Sequence, residues 1–470
     1  MEALAGTVRE LEQAGVRLVA LGWVDSAGIS RVKAVPVRRL GHAARWGVGM
    51  APVFDSYLVD DTRVVDETHG GPVGDLRLMP DLARLVPLAA QPGWAWAPAD
   101  RYGQDGAPYP GCHRTFAARM VRTAEESGLR LRMGFETEWT VTAENGSTGG
   151  SPDGSPGGSP GSSSGGSPGG SRSGPGPAYG LTRLVGAGPY LLDVVDALTA
   201  QGVDVLQVHP EYETGQYEVS TAAEDPVGAA DSAVLVRHTL RAVSLHHGLA
   251  PSFAPLTTVD GAGNGGHLHL SLWREGRNLL QGGDGPHGMS AQGEAFLAGI
   301  LAALPALTAV GCPSPASYLR LVPGNWAGAY QCWGRENREA ALRFITGMAD
   351  ERAEAANAEL KCFDQAANPY LLVGAVIAAG LGGVEAGLRL PPEYVGDPAR
   401  AEPTALAAQG VRRLPGSLAE ATEHLRGNAR LRRAMGDRLM DAVLAVRRGE
   451  SELFAGRTPE EIVEATRERY

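Results

Sequence analysis

Apolar and charged positions alternate along this chain in two rhythms. In MEALAGTVRELEQAG, Leu4, Val8, Leu11 and Val16 recur at helical spacing between charges, which predicts an amphipathic helix. The next stretch, RLVALGWVDSAGISRVKAVPV, reads as two strands around an Asp-Ser-Ala-Gly turn. LRLMP and WAWAP carry the strand-rich rhythm to about residue 100, where the polar, turn-rich ADRYGQDGAPYPG closes it. Beyond that point GLRLRMGFETEWTV, VDVLQVHPEYETGQYEVS and GGHLHLSLW predict strands. Residues 225–247 and ANPYLLVGAVIAAGLGGVEAGL predict helices, the second largely buried. Ser417 and Glu420 have the spacing of a capping box ahead of a helix through EHLRGNARLRRAMG.

At 470 residues the chain exceeds one core. The rhythm predicts an α+β protein with a helix and strand-rich unit over 1–105 and a larger unit over 106–470. Within the second, residues 145–178 collapse into Gly, Ser and Pro, which bury too little apolar area to offset ordering; a surface insertion is predicted. A formal charge of -11 argues against nucleic acid or an anionic membrane as the main partner. The 4 cysteines form no CxxC pair, which fits a reducing compartment and offers neither zinc site nor disulfide framework. No basic start precedes an apolar signal region, and no uninterrupted apolar run is long enough for a bilayer; a cytoplasmic protein is expected.

The chemistry-bearing residues gather in five stretches. Glu136 and Glu138 leave one face of an apolar strand, and two such carboxylates are costly together unless a cation neutralises them. Alone, this pattern is more often a solvated face. Glu211, Glu213 and Glu218 follow around Gly215-Gln216, and GAGNGGHLHLSLW puts His267 and His269 on one strand face beside a glycine loop. Oxygen-rich sites with a single imidazole favour Mg2+ or Mn2+ over zinc. Arg320, Arg335, Arg338 and Arg343 offer bidentate binding of carboxylate or phosphate, and Glu359 and Lys361 share a further strand face. Together the inventory is that for activating an acid with ATP.

The order and spacing of GFETEW, PEYETGQYE, GGHLHLSL, YLRLVPG, GRENREAALR and ELKCFDQAANPYL resemble the glutamine synthetase family over nearly the whole chain. The resemblance implies an N-terminal β-grasp domain and a catalytic domain with a curved antiparallel sheet flanked by helices. It implies a homo-oligomer, a dodecamer of two hexameric rings with active sites between subunits. It makes Glu138, Glu211 and Glu218 ligands of the metal that orders the acid substrate. Glu136, His267 and Glu359 become ligands of the metal that neutralises the phosphates of ATP. His269 and Ser271 fall near the nucleotide, Arg338 and Arg343 on the transferred phosphoryl group, and Arg320 and Gly263 with the acid substrate. Asp55, in VFDSYL, becomes the aspartate given by a neighbouring subunit to deprotonate the nitrogen nucleophile.

Three departures bear on the substrates. Where the family's flap has a glutamate in a VPGYEAP-like stretch, this chain has VPGNWAG, with Trp326 at that position. An indole cannot hold ammonium as a carboxylate does, but it can shield an acyl phosphate or lie against an alkylamine. Lys361 replaces an arginine that contacts substrate carboxylate, and Ala262 stands where asparagine is usual. The expected reaction is formation of a γ-glutamyl amide from glutamate and an organic amine through a γ-glutamyl phosphate. A small monoamine such as ethanolamine is favoured over a polyamine, because no further carboxylates for a polyamine can be placed from sequence. An ammonia-using glutamine synthetase, a γ-glutamyl amide hydrolase and a non-catalytic regulatory relative are the alternatives; the last fits poorly with an intact set of metal ligands and phosphate arginines.

Overall fold

A computed structural model describes residues 2–66, 68, 70–143 and 176–470. Most of the Gly/Ser/Pro insertion expected over 145–178 lies outside the described residues.

The first sheet comprises β1 (Leu18–Val24), β2 (Ser30–Pro36), β3 (Val48–Met50), β4 (Leu76–Pro80), β5 (Val86–Pro87) and β6 (Trp94–Tyr102). Its order is β2-β1-β6-β4-β3, with β5 on β6, and β1 runs parallel to β6 between antiparallel neighbours. The opening helix spans Glu2–Gln13 and ends before Val16, which is buried from the turn that follows; Leu11, Val16, Val19, Leu21, Trp23, Leu40 and Leu78 make the core of this unit. The β1–β2 turn closes because the Asp25 carboxylate accepts the N–H groups of Ala27 and Ile29, both at 3.0 Å.

That turn docks on the larger unit. Gly28 has φ 87, and a Cβ there would sit 1.8 Å from the Ala366 carbonyl oxygen. Asn368 donates to the carbonyls of Val24 and Asp25 at 3.1 and 3.0 Å, and Arg447 donates to that of Ser26 at 2.8 Å. Gly28→Ala therefore combines left-handed strain with a backbone clash and is expected to destabilise the protein by about 3 kcal/mol. Urea unfolding of the two proteins checks this; an unchanged midpoint would refute it.

The second sheet has ten strands. They are β7 (Arg130–Ala143), β8 (Val205–Pro210), β9 (Gln216–Thr221), β10 (Leu249–Ser252), β11 (Leu268–Arg274), β12 (Arg277–Asn278), β13 (Tyr330–Arg335), β14 (Ala340–Ile345), β15 (Asn357–Leu360) and β16 (Arg412–Arg413). The main path is β16-β13-β14-β15-β11-β7-β9-β8, with β10 on β7 and β12 on β11. The expectation of an antiparallel sheet needs one correction: β13 and β14 pair in parallel, because residues 336–339 return the chain to the level where β13 starts, setting Ala340 beside Tyr330, with Glu336 left-handed at φ 53.

Helices back this sheet. The two most apolar, Ala291–Gly311 and Pro369–Ala386, are long enough to cross a membrane by length and composition, but they are largely buried in the protein core. The helix expected through EHLRGNARLRRAMG is two helices, Leu418–Gly427 and Ala429–Met435. Asn428 breaks it and caps the second, its side chain accepting from Leu431 N–H at 3.0 Å. Ser417 caps the first by accepting from Glu420 N–H at 3.2 Å, but the Glu420 carboxylate reaches Gly416 N–H, so the capping box is not reciprocal.

Candidate active site

The register of the large sheet builds a row of polar side chains inside it. Glu138 on β7 lies directly across from Glu218 on β9, which lies across from His209 on β8. His209 Nε2 is 3.2 Å from Glu218 Oε1, and its Nδ1 is 3.5 Å from Glu211 Oε1. Glu138 accepts the Gly265 N–H at 2.8 Å and a longer bond from Gln216 Nε2 at 3.4 Å.

A second row crosses β11, β15 and β14, where His269 lies opposite Glu359 and Glu359 opposite Arg343. His267 joins the rows: its Nδ1 is 2.9 Å from Glu136 Oε2 and 3.3 Å from Glu359 Oε1, and its Nε2 is 3.8 Å from Glu138 Oε1. Arg343 donates to Glu359 Oε2 at 2.9 Å, and Lys361 Nζ donates to Glu359 Oε1 at 3.1 Å.

These contacts divide the carboxylates into two kinds. Burial opposes ionisation of Glu136, but hydrogen bonds from His267 and His269 overcome it and hold the carboxyl far below its usual range. Burial likewise opposes ionisation of Glu359, and Lys361 with the two imidazoles brings it down to about 2. Glu138 is pushed up by burial, with Glu218 opposite adding to the effect. Burial and the nearby Glu138 push Glu211 up to about 7. His209 is drawn up to about 9 by its hydrogen bond to Glu218, against burial. The Glu138 and Glu211 side is thus short of positive charge.

Three sets of ligand atoms lie within 4.8 Å of one another: Glu136, His267 and Glu359; Glu138, Glu218 and His267; His209, Glu211 and Glu218. Glu211 therefore groups with His209 and Glu218, and His267 is shared by the other two sets. Each set joins two carboxylates to one imidazole, and such crowded carboxylates suit a hard divalent cation.

A cavity of about 1120 Å³ opens over these residues. Of the residues singled out from sequence, Glu136, Glu138, Glu211, Glu218, Gly263, His267, Arg320, Trp326, Arg338, Arg343 and Lys361 line it. Arg320 is buried, and its aliphatic stem fills the space a side chain at Gly263 would need, 2.5 Å from an added Cβ. His269 stands behind the first triad, its Nε2 3.2 Å from Glu136 and its Nδ1 2.9 Å from Asn357 Oδ1. Ser271 is farther along the same strand and accepts from Trp273 Nε1 at 2.8 Å.

Asp55 lies in the first unit and does not line the cavity of its own chain. It is buried, ion-paired with Arg101, and accepts the Tyr109 hydroxyl at 2.5 Å. Cavity-lining residues that the sequence argument passed over include His209, Tyr179, Tyr212 and Asp260. Glu213 was noticed but given no role; it lines the cavity and accepts Ala262 N–H at 3.0 Å.

Against known proteins, residues 110–465 match the glutamine synthetase catalytic domain and residues 3–108 the glutamine synthetase N-terminal domain. The chain belongs to the glutamine synthetase family. As a member it is an ATP-dependent carbon–nitrogen ligase, and the family depends on divalent metal, binds ATP and glutamate and forms oligomers. It is 52% identical over 469 residues to the gamma-glutamylpolyamine synthetase GlnA3 of Streptomyces coelicolor, covering 100% of this chain and 96% of that protein. The glutamine synthetase of Pyrococcus abyssi is 28% identical over 426 residues, 90% of this chain and 87% of the other. A crystal structure described as a novel glutamine synthase homolog superposes with TM-score 0.82 at 33% identity, covering 97% of this chain and 99% of that one.

Proposed function

We propose that this ligase joins the γ-carboxylate of glutamate to a polyamine. The observation that carries the reading is the cavity rim: Glu213 and Asp260 line it with Tyr212 and Trp326, beyond the carboxylates grouped for metal. A second ammonium group on the acceptor finds carboxylates and aromatic faces there. A monoamine would leave the rim unused, so the ethanolamine preference expected from sequence is replaced. The relative named as a gamma-glutamylpolyamine synthetase supports the same reading.

In this mechanism Arg320 and the loop at Gly263 bind the α-carboxylate end of glutamate. Lys361, tied to Glu359, supplies a fixed positive charge in place of a fork. Glu136, His267 and Glu359 would hold one Mg2+ or Mn2+, Glu138 and Glu218 with Glu211 of the adjoining set would hold a second, and the ions would neutralise charge on the phosphates. The γ-carboxylate oxygen attacks the terminal phosphorus of ATP, the bond from that phosphorus to the bridging oxygen breaks to release ADP and leave γ-glutamyl phosphate, and Arg338 and Arg343 face the charge that spreads over the transferred group. The amine nitrogen then bonds to the γ-carbon, the C–O bond to phosphate breaks, and the nitrogen loses a proton. We assign that proton to Asp55 of a neighbouring copy, one of whose oxygens must exchange its Tyr109 bond for the amine. His269 and Ser271 serve the nucleotide, His269 through its hold on Glu136. The assembly is a dodecamer of two rings, and the four free thiols and the ATP requirement favour the cytoplasm.

The test is amide product and phosphate release with ATP, Mg2+ and glutamate, offering ammonium, ethanolamine, putrescine or spermidine. kcat/KM for a polyamine is expected to exceed that for ethanolamine or ammonium by at least about tenfold, the worth of one added charge pair. A preference for ammonium would return the protein to ordinary glutamine synthesis.

A further inference from the structure

The loop over the cavity holds an unusual backbone. Gly324, Trp326 and Gly328 have φ of 86, 54 and 71. Glycine enters the left-handed region freely, whereas a bulky residue stays there only when its surroundings hold it. Trp326 is 61% exposed, so packing of its indole does not do so. Glu339 does. Its side chain is buried, Oε1 accepts Gly324 N–H at 2.8 Å, and Oε2 accepts Trp326 N–H at 2.9 Å.

Glu339 is anchored in turn. Its N–H donates to Asn337 Oδ1 at 3.1 Å, and Asn337 Nδ2 donates to the carbonyls of Tyr394 and Gly396 at 3.3 and 2.9 Å. It follows Arg338 directly, in the turn between β13 and β14. A buried carboxylate is costly unless well bonded, and here two charge-assisted bonds from one loop provide the bonding.

We infer that Glu339 is a positioning residue that fastens the Trp326 loop to the turn carrying Arg338, so that the indole covers the acyl phosphate where the arginine has met the phosphoryl group. The inference rests on the proposed amine ligase activity. Loosening the loop admits water to the intermediate. The water oxygen then bonds to the γ-carbon, the C–O bond to phosphate breaks, and a proton passes to solvent, returning glutamate and phosphate without amide.

The experiment measures amide formed per phosphate released in the full-length protein, with Mg2+, ATP, glutamate and spermidine. Glu339→Gln offers one acceptor and an NH2 group that opposes the second N–H. Its amide-to-phosphate ratio is expected to fall about fivefold and its KM for spermidine to rise about tenfold, near the value of one charge-assisted hydrogen bond. KM for glutamate stays close to wild type, and the melting temperature falls by only a few degrees. Glu339→Asp keeps the charge but cannot reach both N–H groups, and gives an intermediate ratio even if the glutamine variant folds poorly. Trp326→Gly keeps the N–H donor and removes the indole; combined with Glu339→Gln it is expected to be no worse than the more damaging single change.

Wild-type protein that forms no amide with any amine overturns the ligase reading itself. Tight coupling in wild type with equal coupling in the Glu339 variants, or losses that multiply in the double variant, overturns the role of Glu339 alone.

Discussion

Glu138→Gln is expected to lower kcat by about a thousandfold, diminish the rise in melting temperature that Mg2+ gives the wild type, and raise the melting temperature of metal-free protein. The opposed effects have one cause. Glu138 lies across the ladder from Glu218, with His267 Nε2 at 3.8 Å, and burial pushes its carboxyl up. Without a cation its charge is a liability; with one it is a ligand, and losing a charge-neutralising ligand costs on the order of the loss of an oxyanion donor or more. Glutamine keeps an oxygen for the Gly265 N–H, so the local fold survives. A carboxyl whose folded pKa is raised binds its proton more tightly in the native state than in the unfolded state. Wild-type stability therefore falls as pH climbs from the ordinary carboxylate range through the raised value. The advantage of Glu138→Gln is accordingly present at neutral pH and fades below the ordinary carboxylate range. Differential scanning fluorimetry with and without Mg2+ across pH checks all three points. A metal-free variant melting below wild type, or an undiminished Mg2+ shift, would refute the argument.

How far sequence reaches can be seen in particular residues. Glu136 and Glu138 were legible because strand periodicity puts i and i+2 on one face whatever the fold, and β7 obeys it. The hairpin at Asp25 and the helix beginning after Asp225 were legible because their turn and cap chemistry is local. The rim was not. Glu213 and Asp260 are far apart in sequence, and only folding of the GAGNGG loop onto the PEYETGQ turn, through Ala262 N–H and Glu213, brings their segments together. His209 was passed over; its meaning comes from the β8–β9 register that sets it against Glu218. Asn428 could have been read as a cap, since it precedes a helical pattern, but the apolar spacing on both sides is helical and hid the break. Glu339 sits in a motif whose arginines drew the attention, and its partners are backbone N–H groups, which carry no sequence signal.

The two arginines of that motif should fail in different ways. Arg338 is exposed, lines the cavity, and among the described residues its side chain pairs with no carboxylate. Arg343 is largely buried, with one nitrogen 2.9 Å from Glu359 Oε2 and another 3.2 Å from Glu336 Oε2. Arg338→Ala should therefore lower kcat by about a thousandfold, as loss of an arginine on a transferring phosphoryl group does, and leave the melting temperature within about a degree. Arg338→Lys retains the charge but not the planar fork and should recover only part of the rate. Arg343→Ala should lose activity and stability together. It leaves Glu359 with Lys361 as its paired cation and the His267 ring beside it, and removing one member of a buried ion-pair network costs about 3 kcal/mol. Steady-state kinetics and thermal melts on the three variants separate these outcomes. If Arg338→Ala keeps more than about a tenth of wild-type kcat, the group does not meet the transferring phosphate in the transition state. If Arg343→Ala melts with wild type, its bond to Glu359 contributes nothing to the fold, and both arginines act on the phosphate alone.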